Sequence, residues 1–200
     1  MSQEVIEIMQ KMDPFQLESR LAMQCAPLFV GLRMSSMFVI SRNQIKPLYD
    51  LLRNSVICCR VLFLESKQLT VMLYRKDMLE PYICRGKAKE FFKKQGYTEF
   101  DMEHILITFT RRYRNYRTGN CSFPHELGLL LGYPMEDVEG FIANQGENSL
   151  YTGYWKVYYH VSAKRDLFHM YEKAKEQMIL LMGQGIGMSE IIDRYCRKVI

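Results

Sequence analysis

The chain has 200 residues, of which 48% are apolar and 24% charged, with a formal net charge of +5. That is enough chain and enough apolar side chain for one well-buried domain, and it excludes a disordered protein. No apolar run reaches the length of a membrane span. Met1-Ser2-Gln3-Glu4 lacks the basic segment and apolar core of a signal peptide, so a cytoplasmic protein with mostly reduced cysteines is expected.

Residues 3–24 read as helix, with a restart at Asp13-Pro14-Phe15-Gln16 and a break at Cys25-Ala26-Pro27, because the residue before a proline avoids the helical region. A strand is predicted over 34–41 and a helix over 43–54. The runs 56–65 and 69–75 are β-branched and apolar and are joined by Ser66-Lys67-Gln68, which predicts a hairpin. Within it Cys58 and Cys59 are adjacent, so their side chains should face opposite sides of the sheet. Asp77 should cap a helix reaching Lys94 and ended by Gln95-Gly96-Tyr97, and a further helix is predicted over 99–116. The run 154–160 alternates as a strand would and is expected to join the sheet. Ser162 should cap a long last helix with Leu167, Tyr171, Ala174, Met178 and Leu181 on its core stripe. Gly183, Gly185 and Gly187 end it, and Ser189 opens a tail helix. The order predicts one α+β domain over 1–200, a small and mainly antiparallel sheet covered by several helices, with a core over about 20–182 and a helical tail over 183–200.

The run from Phe123 to Ile142 is the least ordinary stretch. Pro124 suits a first helical position with Phe123 as its cap, and Glu126 would then reach back to the cap N–H. Leu127, Leu129, Leu130 and Leu131 make this short helix apolar nearly all round, which predicts burial. Gly132 suits a helix stop and Pro134 the start of a second helix, with Glu136 and Asp137 in its first turn and Val138, Phe141 and Ile142 on its buried face. His125 would sit near a helix N-terminus, where the neutral imidazole needed by a base or a ligand is favoured.

Together with Cys25-Ala26-Pro27 and Gly153-Tyr154-Trp155-Lys156-Val157-Tyr158, this run resembles an uncharacterised bacterial family that carries only a domain-of-unknown-function label, DUF3793. The resemblance covers about residues 20–182, and Arg33 stands where the family pattern leads one to expect a lysine. It implies no activity. A link to iron or flavin metabolism is the context it suggests.

Four constellations could carry chemistry. Cys25, His125 and Asn144 follow the chain order of papain-like thiol enzymes, with Glu126 as another orienting group. Cys121, His125 and Glu126 include metal-ligand types but have no second pair, so no metal site is expected; an axial haem ligand needs only one residue, and His125 and His160 are the candidates. Residues 85–117 hold nine Lys or Arg against four Asp or Glu, and Arg111, Arg112, Arg114 and Arg117 interleave with tyrosines as a nucleic-acid binder would require. The second helix of the central run, however, offers Glu136, Asp137 and Glu139 to any groove. Finally, Arg33, His125, Glu126, Trp155 and Lys156 place cations and donors in otherwise apolar motifs, as a pocket for a small anionic ligand or cofactor does. The leading expectation is an accessory protein binding such a ligand; the alternatives are a cysteine-dependent enzyme using Cys25 and His125, and a basic nucleic-acid-binding protein.

Overall fold

The computed structural model describes residues 2–197; the last three residues of the expected tail lie outside that range. Helix α1 (Gln3–Lys11) and helix α2 (Leu17–Phe29) open the chain on either side of the Asp13-Pro14 restart. Helix α2 does not stop at Cys25-Ala26-Pro27. It runs through Pro27 to Phe29, and residues 25–29 are all buried. A proline in the last turn forfeits little of the helix beyond it. The exit is made instead by Gly31 at φ 76°, with the Pro27 carbonyl accepting the N–H groups of Leu32 and Arg33.

Strand β1 (Ser35–Ser41), a short 3-10 turn and helix α3 (Ile45–Leu52) follow, then the predicted hairpin, β2 (Ile57–Glu65) and β3 (Gln68–Arg75). The sheet is antiparallel in the order β1-β3-β2. Strand β3 is therefore central and buried on both faces: Leu69, Val71 and Leu73 join one core, Met72 and Tyr74 the other. Cys59 packs on the first face and Cys58 on the second, as adjacent strand residues must. A register shift between Val61 and Phe63 puts Leu62 and Phe63 on the same side, adding apolar bulk to the second core.

The first core is closed by α2, α3, the end of helix α9 (Val161–Gly183) and helix α10 (Met188–Cys196). The second is closed by α4 (Lys76–Ile83), α5 (Gly86–Lys94), α6 (Met102–Arg117), α7 (Leu127–Leu130) and α8 (Met135–Ala143). The single helix expected from Asp77 to Lys94 is thus two helices, broken where Gly86 turns at φ 53°; Arg75, not Asp77, stands at the cap. Likewise α9 starts at Val161, after His160 in the left-handed region, and Ser162 lies inside it.

The strand expected over 154–160 does not join the sheet. Only Lys156–Val157 is extended, as β5, and it pairs with β4 (Tyr151–Thr152) in a separate two-stranded ribbon. The ribbon lies on α8 and on the first half of α9. There Trp155, Val157, Phe168 and Tyr171 form a third, smaller cluster.

Candidate functional site

The run from Phe123 to Ile142 does make two helices separated by Gly132, whose φ of 74° is the left-handed stop the sequence predicts. The first helix is shorter than expected. Residues 124–126 form a turn, with the Leu127 and Gly128 N–H groups donating to the Pro124 and His125 carbonyls, and α7 has only four residues. The reason is Glu126. Its side chain does not reach back to the Phe123 N–H but turns inward, fully buried. Its Oε1 lies 2.6 Å from Arg112 Nε and accepts the Tyr97 hydroxyl at 3.0 Å. Burial and the Glu126 charge push the Tyr97 phenol well above its ordinary range. Arg112 also lies over the Tyr97 ring and donates to the Gln95 carbonyl. Glu126 is therefore a buried tie between α7 and α6 and does not line the cavity described next.

Between α7, α8 and the ribbon lies a cavity of about 260 Å³. Its base is Leu127, Gly128, Leu131 and Val138. Gly128 leaves no room for a side chain, since a Cβ would sit 2.8 Å from Val138 Cγ2, so the two helices meet there in close contact. Two groups of rings supply the rest of the wall. His125 meets Phe123 edge-on at 5.4 Å and Phe141 at 5.9 Å; Tyr133 stacks on Trp155 at 4.9 Å. Asp137 and Lys156 complete the lining. His125, Trp155 and Lys156, three of the five residues expected to line a ligand pocket, thus share one space. Trp155 lies in a bend just before the two-residue strand that contains Lys156, and both residues line the cavity.

Asp137 holds this arrangement, and sequence reasoning missed it. It is 2% exposed. Oδ2 accepts the Trp155 indole N–H at 2.8 Å, and Oδ1 accepts the backbone N–H groups of Tyr158 at 2.9 Å and Tyr159 at 3.2 Å. Lys164 of α9 lies 3.9 Å from Oδ2 and bonds Glu136 at 2.9 Å. One carboxylate on α8 therefore fixes the ribbon, the indole and α9 together. Its position in the first turn of a helix has a sufficient local explanation in the helix dipole, which is why no signal marked its distant partners.

The remaining candidates lie elsewhere. Arg33 stands one step behind the wall, its guanidinium 5.7 Å from the centre of the Tyr133 ring and 3.4 Å from the Tyr133 hydroxyl. Cys25 is wholly buried in the first core and is not among the cavity residues. Burial pushes its thiol up to about 12, against the charge of Arg33 and the nearby Ser36 hydroxyl. Asn144 spends its amide on the Gly140 carbonyl. Cys121 is exposed and donates to the Arg112 carbonyl, and His160 is exposed at the start of α9.

Among the described residues, the group of metal-ligating type that comes together is Glu99, Asp101 and His104, all exposed at the start of α6. There the Asp101 hydrogen bond leads the effects that hold the His104 imidazole above its ordinary value. Of the four arginines near the end of α6, Arg112 is tied to Glu126, Arg114 donates to the Leu62 carbonyl and Arg117 pairs with Glu65, while Arg111 is exposed. Tyr113 is buried and Tyr116 half-buried, so the aromatic residues between them face inward rather than towards a strand of nucleic acid.

A small antiparallel sheet between two helical layers, with a ribbon closing a partly aromatic cavity at its side, defines an α+β protein. The family model for a protein of unknown function, DUF3793, matches residues 21–192, and the chain belongs to that family. No curated protein and no solved structure matches it significantly. Among the described residues, no helix is long and apolar enough to cross a membrane.

Proposed function

We propose that this is a cytoplasmic accessory protein that binds a small anionic ligand or cofactor in the cavity between α7, α8 and the ribbon. One observation carries the reading: His125, Trp155 and Lys156, from a turn and a ribbon about thirty residues apart, meet on a single concave and mainly apolar surface. The Asp137 bonds behind it hold that surface in place, as a binding site requires. Arg33 supports the wall through Tyr133. Iron- or flavin-linked metabolism is the context that the family resemblance suggests, and no cavity residue is specific to either. The thiol reading draws no comparable support, because Cys25 is sealed in the opposite core. Nor does the nucleic-acid reading, because three of its four arginines are engaged within the fold.

The test is native mass spectrometry with an absorption spectrum on protein purified without oxygen. The expected result is an extra mass retained by the wild type and lost in His125→Ala, whose side chain, among the described residues, makes ring contacts only. An extra mass that survives both His125→Ala and Lys156→Met places the ligand elsewhere and refutes the assignment.

A further inference from the structure

The polar groups around the cavity are not equally free, and that inequality narrows the ligand. Asp137 is the acidic residue of the lining; three N–H donors take most of its acceptor capacity and Lys164, 3.9 Å from Oδ2, offsets its charge. A cationic ligand would gain little there. The Trp155 N–H is spent on the same carboxylate. Lys156 is different. Among the described residues its ammonium has one acceptor, the Gly146 carbonyl, and no ion pair, so two of its three donors remain for a ligand or water. Neither ring nitrogen of His125 has a hydrogen-bond partner among the described residues. Lys156 at the exposed rim and the His125 imidazole in the wall are therefore open polar functions of the cavity.

The rest of the surface is apolar, an aliphatic base under aromatic walls. A dry cavity of about 150 Å³ accepts benzene, so about 260 Å³ accommodates one or two fused rings. Aromatic walls favour a planar body in offset or edge-on contact.

Resting on the reading of this cavity as a ligand site, we infer that its ligand is a planar aromatic acid of one or two rings, held among His125, Phe141 and Trp155 with its anionic group at Lys156. The imidazole lies beside the ring and can bond a ring heteroatom or hydroxyl.

The chain has one tryptophan, and it lines the cavity, so its emission reports binding directly. Four probes separate the parts of the inference: naphthoate, naphthalenemethanol as its neutral counterpart, cyclohexanecarboxylate and inorganic phosphate, each titrated into the full chain and repeated by calorimetry. Naphthoate is expected to change Trp155 emission saturably and to bind more tightly than the alcohol. Lys156→Met is expected to weaken naphthoate about tenfold, as loss of one charge-assisted bond at a partly solvated rim does, and to leave the alcohol unchanged. Lys156→Arg should restore most of the loss, which separates lost charge from a disturbed ribbon.

An alcohol that binds as tightly as the acid, or an acid indifferent to Lys156→Met, overturns the anionic half. Phosphate or cyclohexanecarboxylate binding where naphthoate does not overturns the aromatic half and leaves the cavity as a binding site. If none of the four binds, the ligand class and the cavity reading fall together.

Discussion

Removing the Asp137 carboxylate should be among the most damaging single changes available in this chain. In Asp137→Ala the Trp155 indole N–H and the Tyr158 backbone N–H lose their acceptors inside the protein, while the Tyr159 N–H is near enough to solvent to find water. Each buried donor left unsatisfied costs about 1–3 kcal/mol. Lys164 loses one of its two carboxylates and keeps Glu136. The expected destabilisation is about 3–5 kcal/mol, a large part of the ~5–15 kcal/mol that holds a domain together. Asp137→Asn offers a sharper comparison. The amide oxygen can still serve the two backbone N–H groups, but the amide nitrogen then faces the indole N–H and Lys164, donor against donor. A cost of about 2 kcal/mol is expected, below that of the alanine variant. Urea unfolding followed by far-UV circular dichroism, with the slope checked for constancy, measures both. A cost below about 1 kcal/mol for Asp137→Ala, or an asparagine variant worse than the alanine one, would refute the account of this carboxylate as the tie between α8, the ribbon and α9.

Arg112→Met should destabilise the fold by about 3 kcal/mol, because it leaves Glu126 buried without its cation; the double variant with Glu126→Gln should recover part of that loss, and simple additivity of the two changes would contradict the pairing. Thiol labelling of the native protein just above neutral pH should be fast at exposed Cys121 and very slow at Cys25 and Cys59, whose thiols burial pushes up to about 12. Peptide mapping checks this, and rapid labelling of Cys25 would reopen the thiol-enzyme reading. Glu136 and Glu172 both titrate below the ordinary glutamate value of 4.5; burial acts to raise them but is outweighed by bonds to Lys164, and to Lys175 and Tyr154, respectively. Their stabilisation is therefore complete above 4.5 and is lost as pH falls through their lower folded values. Both side chains are two-fifths exposed, so each contributes less than about 1 kcal/mol. Urea midpoints on either side of 4.5 measure the loss, and Lys164→Met should shrink it; an acid loss unchanged in that variant would rule out the Glu136 contribution.

The parts of the fold that were legible in the sequence are those that local chemistry specifies. The β-branched hairpin, the Gly132 stop and the Pro134 helix start each depend on a few neighbouring residues, and each formed where the pattern placed it. The errors share another origin. Pro27 broke no helix because the burial of residues 25–29 outweighs one missing N–H. The ribbon could not be told from a sheet strand, because alternation shows an extended backbone but not its partner. Glu126 and Asp137 both had adequate local explanations as helix-start acids, while their actual partners lie 14 and 29 residues away for the first and 18 to 27 for the second. Three cavity residues were picked out from their types alone. The carboxylate that positions them was not, since a residue satisfied by distant groups looks like any other in a sequence.

The two cores on either side of the sheet draw on the chain differently. The second is built from residues between Leu62 and Val138, one continuous length. The first joins Leu17–Leu73 to Met178–Cys196, and α10 is stitched to the start of β2 by the Val56 N–H on the Cys196 carbonyl, and to Phe29 by the Cys196 thiol. During synthesis, then, the half beneath the cavity can condense while the chain is still emerging, whereas α2 and α3 must wait for the last helix to leave the ribosome. Until it does, the apolar side of the sheet stays open, and that interval is when a nascent chain of this kind is most exposed to aggregation and most in need of a chaperone.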